Sequence, residues 1–428
     1  LFGARDRFGK KPLKYFFDGE QFIFSSELKA ILTQDIERVV DLEAVDDYLT
    51  LQYVPAPKTG FQNIFKLPHA HCFSLDLKTK KMDIRKYWDL DYSHKTDKTE
   101  AEVVTELEKN LEACVERRMI ADVEVGAFLS GGVDSSAIVA FASRFKQKLK
   151  TFTIKFAEKD YDESEYARQV AEQYQTDHHE FLVRPEDMLD KIETLVYQYE
   201  EPYADSSQLP SYILAQKTAE HVTVALNGDG GDENFGGYDK YQVHLLTKRF
   251  KWLPFTNLLA IFFRFLAIKF DSANLFKLFI FLKTIKKDEY VKHMNYTNYF
   301  DIWSKARLYK KDIARKIQKD QYMSFREKIQ DKSFTGLDRI FYLDFNTYVP
   351  DDLMVKVDIA TMAHGLESRS PILDYTLVEY AATLPYHYKI QGKERKKIFK
   401  SMLEKYLSKD ILYRKKKGFS VPIDYWFR

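Results

Sequence analysis

The chain reads as an α/β protein, a parallel sheet carrying helices and preceded by a β-rich stretch. Three observations predict this. Apolar β-prone segments alternate with helix-forming ones from 123 to about 228, the pattern of a parallel sheet with helices on both faces. Two glycine-rich loops, 130–136 and 227–238, each follow one of those strands, and ligands of such sheets sit beyond the carboxyl ends of the strands. Residues 1 to about 90 are instead mostly strand and turn sequence.

In chain order, Phe2–Phe17, a turn at Asp18-Gly19 and Gln21–Glu27 read as a hairpin. Gly9-Lys10 imitates a phosphate loop, but its spacing from Gly3 is wrong and Lys11 stands where Ser or Thr is needed. Pro55-Ala56-Pro57 breaks the chain, His71–Leu77 and Lys81–Trp88 suggest a second strand pair, and polar Asp91–Lys98 suits a linker. Thr99 and Glu102 form a capping box that starts a helix running to about Met119. Strand Val123–Leu129 leads through the first loop into a helix. Then follow strand Thr151–Phe156, helix Glu163–Gln175, strand His179–Val183, a helix after Pro185, helix Leu209–His221 and strand Thr223–Leu226.

The most apolar region, Trp252–Ile285, is interrupted by Arg264, Lys269, Asp271, Lys277 and Lys283. Its uncharged runs fall short of the roughly 20 residues a spanning helix needs, so it is expected to form packed helices and not a membrane segment. Near the C-terminal end, Gln391–Ser401 opens a helix with Ile398, Phe399, Met402 and Leu403 on one side.

A length of 428 residues fits two domains. Hydrophobic content of 45% with 30% charged residues is that of a soluble globular protein. With 66 basic against 64 acidic side chains, the net charge of +2 gives no electrostatic case for nucleic acid or membrane as partner. Cys72 and Cys114, far apart in sequence, make no disulfide framework; they read as buried thiols in a reducing cytoplasm. The residues begin at Leu1, without an initiator Met or a signal pattern, and read as a fragment.

The chemistry lies in the two loops. In Ser130-Gly-Gly-Val-Asp-Ser-Ser136, Gly131 and Gly132 let the backbone approach an anion, and the helix start behind them offers free N–H groups and a positive dipole end. A Walker A loop would carry Lys; here stands Asp134. A carboxylate beside phosphates calls for a divalent cation between them, as Mg²⁺ is held by one or two carboxylates and substrate oxygens. Ser-Gly-Gly-x-Asp-Ser at a strand end resembles the pyrophosphatase loop of enzymes that cleave ATP between the α and β phosphates. The plainer reading is a Ser/Gly turn. In the second loop, Asp229, Asp232 and Glu233 lack EF-hand spacing. Asp232 is placed to share Mg²⁺ with Asp134, and Asn227-Gly228 to line the nucleotide pocket; an acidic surface turn is the alternative.

Both loops, with Glu201–Ser207, Pro350–Asp358, Met362–Asp374 and Arg414–Pro422, resemble the glutamine-dependent asparagine synthetase family over nearly the whole chain. The resemblance implies an ATP pyrophosphatase domain of the adenine nucleotide α-hydrolase type at 91–428. Before it, 1–90 resembles the later part of a class II, N-terminal-nucleophile glutaminase domain, notably in Gly3–Gly9 and Ser25–Glu27. It implies a ligase that uses ATP and Mg²⁺ to turn aspartate into asparagine through β-aspartyl-AMP, with ammonia from glutamine. Its substrates are small molecules, and a homodimer is left open.

In family terms Leu129 and Ile154 flank the adenine, and Ser130, Gly131, Gly132, Asp134, Ser135 and Ser136 hold pyrophosphate. Asn227 and Gly228 touch the nucleotide, Asp229 supports the acyl-adenylate, and Asp134 and Asp232 hold the metal. The family's lysine before an apolar pair falls in register on Lys396, with Lys393 and Lys397 as competitors. Phosphate proximity is also implied for the basic run Arg414–Lys417. Three departures stand out: the family's N-terminal Cys is not among these residues, Asn227 replaces the more usual Ser, and Asp229 is a methylene shorter than the Glu of some members. A related synthetase adenylating another carboxylate is therefore the alternative. A tRNA-adenylating enzyme lacks support from the near-zero net charge. A non-catalytic descendant is hard to square with both loops and their acids being intact.

Overall fold

A computed structural model of the chain describes residues 1–317, 320 and 322–414. The fold is mixed α/β with a β-rich N-terminal region. That region holds two small antiparallel sheets. Strands β1 (Phe2–Ala4), β5 (His71–Leu75) and β6 (Met82–Lys86) form one, in the order β1-β5-β6; β2 (Lys14–Phe17), β3 (Phe22–Ser25) and β4 (Ile64–Lys66) form the other, in the order β3-β2-β4. The hairpin expected over residues 2–27 is thus shorter than the sequence suggested. Only β2 and β3 pair with each other, while Phe2–Ala4 crosses to Ser74–Cys72. The physical reason lies in Asp6, whose carboxylate accepts from the backbone N–H of Phe8, Lys10 and Lys11 and curls 6–11 into a loop.

Residues 91–98 carry no regular structure, as a linker should, yet Leu90 and Tyr92 are buried in the helical core. The connection is pinned. Beyond it the capping box forms as read: Thr99 N–H donates to Glu102 Oε2 at 2.8 Å, and helix Glu100–Met119 follows.

The central sheet has five parallel strands, β7 (Val125–Phe128), β8 (Lys150–Phe156), β9 (Asp177–Val183), β10 (Val224–Leu226) and β11 (Glu367–Arg369), in the order β11-β10-β7-β8-β9. Helices Glu100–Met119 and Val133–Ala142 pack on one face through Leu107, Ile138 and Phe141. Gln208–Ala219 and Met354–Met362 cover the other, through Ile213 and Ala360 against Phe152 and Ala225. Such two-sided burial is why the central strands β7 and β10 read as unbroken apolar runs. β11 went unread because Glu367-Ser-Arg369 has no strand-like pattern. It is recruited by parallel pairing with Val224–Leu226.

Helices dominate 239–362. Among the described residues no helix is long and apolar enough to cross a membrane. Cys72 and Cys114 are free and buried.

Candidate active site

The chain leaves β7 toward β8 and β9 on one side and returns to place β10 on the other. The crevice at the carboxyl ends of β7 and β10 is therefore the topological switch point, where such sheets bind ligands. A cavity of about 650 Å³ opens there, and both glycine-rich loops line it.

The first loop is braced by its own serines. Ser135 Oγ accepts from Ser130 N–H at 3.2 Å and donates to the Gly132 carbonyl at 3.2 Å. Gly131 has φ +68°, and a Cβ on it would stand 2.6 Å from Ala167 N and Tyr166 Cβ, so this position needs glycine. Leu129, Ser130, Gly132, Asp134, Ser135 and Ile154 line the cavity. Gly131 and Ser136 do not: Gly131 packs on the next helix, and Ser136 is wholly buried beneath the loop.

Asn227 ties the second loop to β11. Its N–H donates to the Arg369 carbonyl at 2.9 Å, its Nδ2 to Ser368 Oγ at 2.7 Å, and its Oδ1 accepts from Asp229 N–H at 3.1 Å. A Cβ on Gly228 would stand 2.7 Å from Ser135 N, so the two loops meet backbone to backbone. Asn227, Gly228, Asp229 and Asp232 all line the cavity.

Lys396 closes the constellation. The expected helix at 391–401 begins only at Lys397, after a short hairpin of β12 (Ile390–Gln391) and β13 (Glu394–Arg395). Between them Lys396 takes a left-handed φ of 55°, and its side chain is buried. Nζ reaches Asp134 Oδ2 at 2.5 Å and Asp232 Oδ1 at 2.7 Å. Burial works against its charge, but the two carboxylates outweigh that and hold the ammonium above its ordinary pKa. A Cβ on Gly237 would overlap both Asp232 Oδ1 and Lys396 Cε. Of the two competitors, Lys393 lines the cavity, and Lys397 turns away to Glu100 at 2.6 Å.

A second charged group in the cavity was not assigned from sequence. Lys356 Nζ donates to Asp205 Oδ2 at 2.9 Å and Ser207 Oγ at 2.8 Å, and Tyr203 OH donates to Asp352 Oδ1 at 2.6 Å. Its signal was present in the segments 201–207 and 350–358, where acids and one lysine interrupt apolar sequence. Burial, reinforced by Asp205, pushes the Asp352 carboxyl up to about 7. Burial likewise raises Asp229 to about 6, against the opposing pull of Lys356. Glu233, raised to about 7 by burial and Asp232, accepts from Tyr238 OH at 2.6 Å.

Arg414, at the rim, donates to the Gly131 carbonyl at 3.1 Å and pairs with Glu163. The rest of its basic run, Lys415–Lys417, and the motif through Pro422 lie outside the described residues.

Among the described residues no group of three or more His, Cys, Asp or Glu is arranged to hold a metal by itself. Asp134 and Asp232 nevertheless converge on one point, which the Lys396 ammonium takes. Two hard carboxylates facing a place already held by a cation fit Mg²⁺, which completes its shell with phosphate oxygens and water.

A family model described as asparagine synthase matches residues 106–428, and one described as a glutamine amidotransferase domain matches 1–88. The chain is similar to asparagine synthetase [glutamine-hydrolyzing] 1 of Bacillus subtilis, 29% identical over 435 residues that cover 100% of this chain and 66% of that protein. To a putative asparagine synthetase [glutamine-hydrolyzing] 2 of Methanocaldococcus jannaschii it is 36% identical over 374 residues, covering 85% of this chain and 69% of the relative. A Gibberella zeae protein called amidase chry2 is 25% identical over 469 residues, covering 100% of this chain and 68% of its own. The chain spans about two thirds of the length of these relatives. The site described above and a match running through both parts of the sequence lead to one assignment: the chain belongs to the asparagine synthase family.

Proposed function

We propose that the protein catalyses the ATP-dependent amidation of aspartate to asparagine, with ammonia drawn from glutamine by the intact enzyme in the cytoplasm. The observation that carries this reading is Lys396 set between Asp134 and Asp232 at the mouth of the glycine loop. The loop's backbone N–H groups cradle pyrophosphate, and Leu129 and Ile154 offer apolar walls to the adenine. Asp134 and Asp232 would hold Mg²⁺, which when bound neutralises charge on the phosphates.

A side-chain carboxylate oxygen of aspartate attacks the α-phosphorus and pyrophosphate leaves, giving β-aspartyl-AMP. Ammonia then attacks the acyl carbon and AMP leaves. Lys396, whose ammonium the two carboxylates favour before Mg²⁺ takes them, would face the phosphates as a positive charge that stabilises the developing negative charge more in the transition state than in the ground state. Asp229, beside the loop and opposed by Lys356, supports the acyl-adenylate. The division of labour we propose places the synthetase at 91–428 and the glutamine amidotransferase region at 1–90.

The test is pyrophosphate release from ATP with ammonium as nitrogen source. Aspartate should support it above other carboxylates, and Lys396→Ala should lower kcat on the order of 10²-fold or more with ATP binding little changed. Release that does not depend on aspartate would move the reading to a related synthetase that adenylates another carboxylate, a divergence for which the amidase-named relative gives room. Normal turnover of Lys396→Ala would remove the lysine from the chemistry.

A further inference from the structure

Helices Thr256–Lys269 and Ala273–Thr284 form an antiparallel hairpin whose contact runs through Ala260, Phe263 and Phe279. The sequence led us to expect packed helices here and no membrane partner. Packing is only half of what is found, for the first helix turns its apolar side outward. Leu258, Ile261, Phe262, Phe265 and Ile268 recur at helical spacing on one face and leave 55 to 71% of their surface exposed. Trp252, Phe255 and Phe270 extend the exposed stripe past both ends of the helix. Contiguous apolar surface of this kind marks an interaction site, since scattered single residues are the rule on soluble surfaces.

The charge around the stripe identifies the partner. Residues 246–287 carry nine cationic side chains, among them Lys248, Arg249, Lys251, Lys269, Lys277 and Lys286, against the single acid Asp271, in a protein whose net charge is only +2. All six of these named cations are exposed. A second copy seated on this face would set nine cations against nine. An outward apolar stripe framed by cations is instead the pattern of a helix that lies in the interface of an anionic bilayer. The first helix, 14 residues and so about 21 Å long, is too short to span one and long enough to lie along it.

We propose that this hairpin docks the protein on an anionic lipid surface, with the Phe262–Phe265 face among the acyl chains and the flanking lysines at the headgroups. The full-length protein is tested by flotation with vesicles of phosphatidylcholine containing about a third phosphatidylglycerol, and with phosphatidylcholine alone. Binding to the anionic vesicles should exceed binding to the neutral ones roughly tenfold or more and weaken with salt. Phe262→Glu with Phe265→Glu should reduce it by about tenfold or more, while pyrophosphate release in solution is unchanged because both rings already face water. Lys269→Glu with Lys277→Glu should lower it chiefly at low salt. The proposal is overturned if the protein does not float with anionic vesicles, or floats equally well as the Phe double variant. It is also overturned if light scattering shows a dimer that the Phe double variant dissociates while no vesicle is bound; a second copy would then cover the face.

Discussion

Asp352 ties protonation to structure. Its carboxyl is buried, accepts from Tyr203 OH at 2.6 Å, and is raised by burial and then by Asp205 from the ordinary 3.8 to about 7. Between those two values the folded chain holds a proton that the unfolded chain has released. Stability from this group is therefore fully present below pH 3.8 and is lost as pH rises through about 7. Asp352→Asn keeps a neutral acceptor for Tyr203 at every pH and should remove that slope. The difference in Tm between variant and wild type is expected to move steadily in favour of the variant from about pH 4 to about pH 7. A difference that stays flat across the window would show that Asp352 is ionised in the folded protein.

At the level of elements, the two loop glycines differ in a way their adjacency conceals. Both read as openings for an anion, but Gly131 is left-handed and pressed against Tyr166 and Ala167, whereas Gly132 has the extended φ of −76° expected of a helix N-cap. A Cβ on Gly132 would stand 3.2 Å from Ser130 Oγ and 4.0 Å from Ser135 Oγ, with no overlap. Gly131→Ala should then cost at least about 1–2 kcal/mol of stability from the left-handed backbone alone, with the overlap added to it. Gly132→Ala should leave the unfolding midpoint nearly unchanged and weaken nucleotide binding. Urea unfolding beside ATP titration separates the two, and equal midpoints for both variants would refute the distinction.

Across the whole molecule, the N-terminal sheets are held to the parallel-sheet region by buried charges. Glu200 accepts from Lys14 Nζ at 2.6 Å, from Leu28 N–H at 2.7 Å and from Lys29 N–H at 3.0 Å, so one carboxylate pairs a lysine and caps a short helix. Lys66 pairs with Glu201 beside it, and the buried Arg5 donates to the Pro350 carbonyl at 3.5 Å. Glu200→Ala would leave Lys14 buried and unpaired, a loss of about 3–5 kcal/mol by analogy with other broken buried pairs. The expected result is a separate, earlier calorimetric transition for the N-terminal region and faster proteolysis near 91–98. One unshifted transition would show that apolar contacts suffice to join the two parts.

Much of the fold and half of the site were legible in the sequence, because their signals are local. Strand-helix alternation, the Thr99–Glu102 capping box and two glycine-rich strand ends depend on neighbours a few residues apart, where backbone propensity and short-range hydrogen bonds decide. By itself the sequence thus determined an α/β sheet whose strand-end loops bear Asp134 and Asp232. Tertiary structure decided what depends on distant partners. Lys393, Lys396 and Lys397 look alike in sequence, and Lys396 meets Asp134, 262 positions away, because Ile398 and Phe399 are buried and a left-handed turn aims it inward. β11 became a strand only when β10 offered it an edge. The helix 256–269 is mostly apolar in sequence, broken by Arg264 and Lys269, and the fold covers the side bearing Ala260 and Phe263 while leaving Phe262 and Phe265 outside. Burial and electrostatic pairing are properties of assembled neighbours, and no short window of sequence contains them.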